Sequence, residues 1–309
     1  MPVPLLRIPV LRSFIRHLRG VIVFATFTAN TIFWFVPLFL LSLVKLVVPL
    51  SGFRDRLSRV LMAIGENWID VNARIISIAC DKRIEVRGRE GLRRDGWYLV
   101  AANHQTWVDV LVVQTVFNRR IPFLKFFIKQ QLIWFPFLGV AWWALDMPFM
   151  KRYSTSYLAK HPEMRGKDLE TTRDACRKFR STPTSVINFL EGTRFTEDKR
   201  ARRKSPYVRL LPPRAGGFAV AIGSMGELFD AMLDVTLVYR DGVPQFWEMC
   251  CGHPVHVVVD IRQRPIEQWL VEGDYEVDRE FRRSVHAWLG RIWQEKDELI
   301  QRMDAEVDV

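Results

Sequence analysis

The stretch Trp97–Val110, "WYLVAANHQTWVDV", ends an apolar run in Asn103-His104 and places Asp109 five residues beyond the histidine. Its first seven residues read as a buried strand, and "TWVDVLVVQTVF" has helical spacing. On one regular helix, residues five apart point about 140° away from each other. His104 therefore belongs in the turn leaving the strand, and Asp109 one turn inside the helix that follows. From there the carboxylate can reach back to the imidazole Nδ1–H, fix the tautomer and leave Nε2 as an outward-facing base. The alternative for the pair is a lone histidine satisfied in the core.

Strand-like and helical segments alternate on either side of this turn. "RIEVRG", "IPFLKFFIK", "TSVINFL", "LDVTLVY", "QFWEMC" and "HPVHVVVDI" read as strands. "KDLETTRDACRKFR", "GGFAVAIGSMG" and a closing segment over about 279–303 read as helices. The closing helix carries Phe281, Val285, Trp288, Ile292, Leu299 and Met303 on one stripe. Such alternation predicts an α/β fold with a largely parallel central sheet. In that class, ligands gather at the carboxyl ends of strands, where His104 lies.

The first 80 residues differ in texture from residues 81–309. Residues 20–44 carry no charge and as a helix are long enough to cross a bilayer core. Arginines and a lysine flank this run on both sides, and Asn30 and Pro37 interrupt it, so crossing and dipping both remain open. The segment from Val60 to Ala79 spaces Glu66, Asp70 and Arg74 four apart, which predicts an amphipathic helix lying at the surface. Residues 1–80 thus read as a membrane-anchoring helical region. "LIWFPFLGVAWWAL", residues 132–145, is too short for a second span and is expected to pack in the body or press into the headgroup layer.

The 309-residue chain carries a formal charge of +11, is 49% hydrophobic and 26% charged, and contains 11 Trp. This composition excludes a disordered chain and a uniform membrane bundle. The charge suits an anionic membrane or a phosphorylated substrate; no recognised module supports a nucleic-acid partner. Four cysteines without a paired framework imply free thiols in a reducing compartment. The run Cys250-Cys251-Gly252-His253 lacks a second ligand cluster, so no metal is expected. "IGSMG" around Ser224 misses the Gly-x-Ser-x-Gly elbow of a serine hydrolase.

A second polar turn, "NFLEGTRF" over 188–195, again follows a strand. Gly192 permits close backbone approach, Thr193 offers a hydroxyl, and Arg194 presents a planar fork suited to phosphate. Glu191, directly after the strand, is expected to orient backbone or the arginine. Taken together, His-x4-Asp and, some eighty residues later, Glu-Gly-Thr-Arg resemble the membrane glycerolipid acyltransferases, in particular the lysophosphatidic acid acyltransferases. "FFIKQQL" with Lys129, "MPFMKR" with Arg152 and "PPRAGGF" with Arg214 are similar to that family's intervening and following segments. Phe189-Leu190 departs from its usual Phe-Pro, and "LDVTLVYRDG" from its later Pro-containing strand.

The resemblance implies a glycerolipid-acyltransferase-like fold and transfer of a fatty acyl group from a thioester to a lysophospholipid hydroxyl. 1-Acylglycerol-3-phosphate would give phosphatidic acid. His104 is then the general base and Asp109 its partner, with the tetrahedral intermediate held by amides of the His104 turn or of Gly192. Glu191, Gly192, Thr193, Arg194, Arg152 and Arg214 form the substrate-binding set. No cofactor is expected beyond acyl-CoA or acyl-ACP as co-substrate, and no Ser or Cys adjoins His104 to carry an acyl group. The basic run 199–204 suits anionic headgroups or the donor, or else is a solvated loop. Membrane lipids are the expected surroundings, at an inner or cytoplasmic membrane with the site on the cytoplasmic side. The rival readings are an acyltransferase for another lysophospholipid and a non-catalytic membrane scaffold.

Overall fold

A computed structural model of the chain describes residues 7–135, 138–150, 179, 182–275 and 277–306. Two long helices come first, α1 (Arg7–Val47) and α2 (Ser51–Ala79). The body follows with β1 (Lys82–Arg87), β2 (Tyr98–Ala102), α3 (Val108–Phe117), β3 (Leu124–Phe126) and β4 (Ile128–Lys129). A 3-10 turn (Gln130–Trp134), α4 (Leu138–Ala144), β5 (Phe149–Met150) and β6 (Ser185–Phe189) come next. Then come α5 (Glu197–Arg202), α6 (Ala215–Met225), β7 (Ala231–Tyr239), α7 (Phe246–Cys250), β8 (Val255–Arg264), α8 (Gln268–Glu272) and α9 (Arg279–Ala305).

The main sheet has the order β1-β8-β7-β2-β6-β3. Every pairing in it is parallel except β7 with β8, so the largely parallel α/β expectation holds. Parallel strands must be covered on both faces, and every residue of β2 and β7 is buried. Alternation assigns each face its core: Tyr98, Val100, Leu233, Val235 and Leu237 join α3 and the helical pair. Leu99, Ala101, Met232 and Val238 join α6 and α9. The predicted stripe of α9 is buried except for half-buried Phe281, and it also encloses Lys296 and Asp297. Lys296 Nζ contacts Asp234 Oδ1 at 2.7 Å and Val235 O at 2.5 Å. Burial pushes its pKa down while Asp234 opposes that shift.

Three local expectations change. "QFWEMC" contains helix α7 instead of a strand, because Gln245 and Glu248 form a capping box in which Gln245 N donates to Glu248 at 2.8 Å. "IPFLKFFIK" divides into β3 and β4, and β4 pairs with β5 in a separate two-stranded sheet. The Glu66–Asp70 stripe of α2 faces the body: Glu66 is buried against Arg94 at 2.7 Å and Arg119 at 3.1 Å, and Asp70 pairs with Arg119 at 2.9 Å. The predicted helix "KDLETTRDACRKFR" lies outside the described residues apart from Phe179.

Among the described residues of 132–145, the only α-helix is the seven-residue α4. α4 buries Ala141 and Ala144 against Leu38, Leu57, Leu61 and Ile64, while Trp134 stays 86% exposed. Helix α1 continues through Asn30 and Pro37. Among the described residues it is the one helix long and apolar enough to cross a membrane, by length and composition. Asn30 Nδ2 donates to Asn72 Oδ1 of α2 at 2.8 Å, so the interrupting amide serves helix pairing.

Lys296→Met is expected to strand Asp234 in the core and lower unfolding free energy by about 3–5 kcal/mol, read from thermal or denaturant unfolding in detergent. A change below about 1 kcal/mol would show that Arg264, 2.9 Å from the same carboxylate, suffices alone.

Candidate active site

The two polar turns meet at the carboxyl end of the sheet. β2 and β6 run in parallel register, Ala102 beside Phe189, so Asn103-His104 and Leu190-Glu191 leave neighbouring strands at the same level. The side chain of Asn103 takes over ladder pairing where β2 ends. Its Nδ2 donates to Leu237 O at 3.0 Å, and its Oδ1 accepts from Leu237 N at 2.8 Å.

Asp109 is fully buried and gathers four donors. Oδ2 accepts from His104 Nδ1 at 2.8 Å, Gln105 N at 2.5 Å and Thr106 N at 2.9 Å. Oδ1 accepts from the Tyr239 hydroxyl at 2.7 Å. An ionised carboxylate can only accept, so Nδ1 is the donor, and in the neutral imidazole that tautomer puts the lone pair on Nε2. Nε2 has no hydrogen-bond partner among the described residues. The imidazole stacks on Phe189, with ring centres 4.2 Å apart. Burial, then the neighbouring Asp109 charge, pushes the Tyr239 pKa far up, so Tyr239 remains a neutral donor.

Glu191 joins the two turns from inside. Its Oε1 accepts from His104 N at 2.8 Å and its Oε2 from Leu211 N at 2.9 Å. Both oxygens accept from backbone N–H groups. Burial pushes its pKa from 4.5 up to about 7, against the pull of those two amides. A return bond runs from Phe195 N to His104 O at 2.7 Å.

Gly192 sits at φ +65°, and a Cβ there would lie 2.9 Å from Arg214 Cδ. The left-handed backbone favours glycine here, and any side chain would also have to displace the arginine crossing above it. Arg214 N donates to Leu190 O at 2.7 Å. Thr193 Oγ1 accepts from Lys199 Nζ at 3.1 Å, and the Arg194 guanidinium lies 5.2 Å from the Trp107 ring centre. The structure thus brings His104, Asp109, Glu191, Gly192, Thr193, Arg194 and Arg214 together. Arg152 lies outside the described residues.

The basic run 199–204 is partly structural. Arg200 and Arg202 pair with Glu197 and Asp198 on α5, and Arg203 donates to Glu191 O at 3.2 Å. The expected amide donors are also occupied: His104, Gln105 and Thr106 donate to carboxylates, and Gly192 N donates to Phe189 O at 2.9 Å. The amides of Thr193 and Arg194 donate to no acceptor among the described residues. Ser224 sits within helix α6, and its buried hydroxyl has no hydrogen-bond partner among the described residues. Cys250 and Cys251 are buried, and His256 bridges Asp81 and Asp241.

Tyr239, Phe189, Trp107, Lys199 and Arg203 are the supporting residues that the motifs did not point to. The alternation of β7 would have placed Tyr239 on the same face as Leu237, but only the fold brings that face to Asp109.

Comparison with known proteins places these turns in context. The family model described as Acyltransferase matches residues 83–239, just over half of the chain. The human "1-acyl-sn-glycerol-3-phosphate acyltransferase delta" is 27% identical over 213 residues, 64% of this chain and 51% of that protein. The mouse gamma protein is 28% identical over 214 residues, 65% of this chain and 52% of its own. The chain spans about half the length of these curated relatives. A crystal structure of the LPA acyltransferase PlsC from Thermotoga maritima shares the fold, with TM-score 0.53 and 16% identity over 90% of this chain and 97% of that one.

Glu191→Gln is expected to leave one of the two backbone N–H groups without an acceptor, costing about 1–3 kcal/mol. The pH profile adds a sign. Because the folded pKa of Glu191 is raised, its contribution to stability is present below 4.5 and lost as pH rises through about 7. Thermal unfolding across that window should show this slope in wild type and lose it in Glu191→Gln; an unchanged slope would remove Glu191 as its source.

Proposed function

The chain belongs to the acyltransferase family, and on that premise we propose that it acylates the free hydroxyl of a lysophospholipid from acyl-CoA or acyl-ACP. The acceptor we assign is 1-acylglycerol-3-phosphate, giving phosphatidic acid. The observation that carries this reading is the Asp109–His104 pair, with Nε2 directed away from its carboxylate and the phosphate-suited Arg194 in the adjoining turn.

An alcohol does not ionise near neutral pH, so its proton must leave as it attacks. His104 Nε2 takes that proton, and Asp109 stabilises the imidazolium. The hydroxyl oxygen bonds to the thioester carbonyl carbon, and the resulting oxyanion is met by the available amides of Thr193 and Arg194. Collapse breaks the C–S bond, and the imidazolium returns its proton to the leaving thiolate. Transfer is direct, within a ternary complex. Arg194 and Arg214, with Arg152, hold the acceptor's phosphate and so fix its hydroxyl.

The placement of α1 bears on localisation. One end is docked by Arg19 on Ala79 O and by Phe27 against Phe246, with ring centres 5.7 Å apart. The other is docked by Lys45 on Asp146 at 3.1 Å. Arg19 and Lys45 are about 39 Å apart along the helix, longer than a hydrocarbon core of about 30 Å. A full crossing would set parts of one body on opposite sides of the membrane. The outer stripe Leu11, Ile15, Leu18, Ile22, Phe33, Val36, Leu40 and Val47 is exposed. It lies in one leaflet in this reading, with the body on the cytoplasmic side where thioester donors are made.

His104→Ala is expected to lower acyl transfer to 1-acylglycerol-3-phosphate by about 10² to 10⁴ while leaving the unfolding temperature near wild type; full retained activity would leave the scaffold reading. Spin labels at Ile22, Phe33 and Leu43 should report similar bilayer depths, and tags on the body should be accessible from the cytosol. A monotonic depth gradient through the bilayer would establish a crossing helix instead.

A further inference from the structure

At the end of the sheet remote from His104 lies a cavity of about 600 Å³. Its wall includes Lys125 of β3 and Thr182-Pro183, which lead into β6. It therefore opens at the amino ends of the parallel strands, whereas the catalytic turns leave their carboxyl ends. Phe179 also lines it, and the junction of α1 and α2 contributes Lys45, Arg54 and Arg59. Two carboxylates also line it, Asp55 and Asp146, and Asp146 is paired with Lys45. Among the described residues, four cations and two acids line it.

Arg54 and Arg59 have no carboxylate partner among the described residues. Arg54 is held over the Trp143 ring at 5.7 Å, which aims the guanidinium while leaving its N–H groups available. The positive end of α2, a 29-residue helix whose N-cap Leu50 makes no side-chain bond, points toward the same space. Beside the cavity, the α1–α2 turn exposes Leu46, Val47, Leu50 and Phe53. A basic hollow with an apolar rim matches an amphiphile carrying phosphate at one end and hydrocarbon at the other.

We propose that this cavity binds the phosphate of an anionic membrane phospholipid at a second site, separate from the acceptor bound at His104. The bound lipid seats the far end of α1 in the leaflet and makes attachment depend on membrane charge. The proposal rests on the membrane placement of α1 given above.

The test uses the full chain and its binding to phosphatidylcholine vesicles with and without phosphatidylglycerol, a lipid that is not the product of the proposed reaction. Wild type should prefer the anionic vesicles. Arg54→Gln and Arg59→Gln should each weaken that binding about tenfold or more, as loss of a charge-assisted contact does. Arg56→Gln, on the same helix turn but outside the cavity lining, should cost no more than about fivefold. Turnover of detergent-dispersed substrate should stay at wild-type level in all three, which also certifies their folding. Equal losses at Arg54, Arg56 and Arg59 would reduce the effect to diffuse surface charge and overturn the proposal. Displacement by excess inorganic phosphate, but not by chloride at matched ionic strength, would assign the cavity to a soluble phosphate and overturn the lipid assignment. Failure of wild type to bind either vesicle would overturn the membrane placement itself, and this site with it.

Discussion

One buried carboxylate governs the geometry of the His104 turn. Asp109 accepts from the His104 ring, from two successive backbone amides and from Tyr239. A group taking four donors in a dry setting has no spare rotamer, because any movement leaves several of them unpaired at once. The imidazole is thereby fixed in tautomer and direction before any ligand arrives. Glu191 repeats the device one strand away and couples the two turns through backbone. The sheet contributes the parallel register that brings the turns level, and the carboxylates convert that register into fixed side-chain positions.

Much of this was legible in the residues. The five-residue interval between His104 and Asp109 is incompatible with a shared helix face, so the strand–turn–helix arrangement follows from spacing. The succession of strand-like and helical segments along the chain pointed to the α/β class. What could not be read depends on contacts between distant segments. Tyr239 meets Asp109 across 130 positions and Arg203 meets the Glu191 carbonyl only once α5 has folded back. Lys296 is the instructive case: it occupies a gap in the hydrophobic stripe of α9 that spacing alone assigns to the core, and its carboxylate partner lies on β7. The α7 segment misread as strand is short, and its capping box uses Gln245 where serine or threonine is the commoner signal.

The helical pair shows how an amphipathic pattern can point the wrong way. The charged stripe of α2 suggested a face turned to headgroups, but Glu66 and Asp70 neutralise arginines of the body. The exposed apolar surface belongs mainly to α1. An ionic seam on one helix thus sits beside an exposed greasy face on its neighbour. The same packing connects anchor to chemistry, since Phe24 and Phe27 of α1 touch Phe246, two residues beyond the carbonyl of Pro244 that accepts from Thr106 at 2.7 Å.

An anchor fastened at both ends has a kinetic consequence on the placement proposed for it. The protein would patrol a plane, and its encounter rate would follow the mole fraction of lysolipid in that plane instead of its concentration in the bulk. Inert lipid added at constant total substrate would then slow turnover by dilution alone, with no change in any contact at His104.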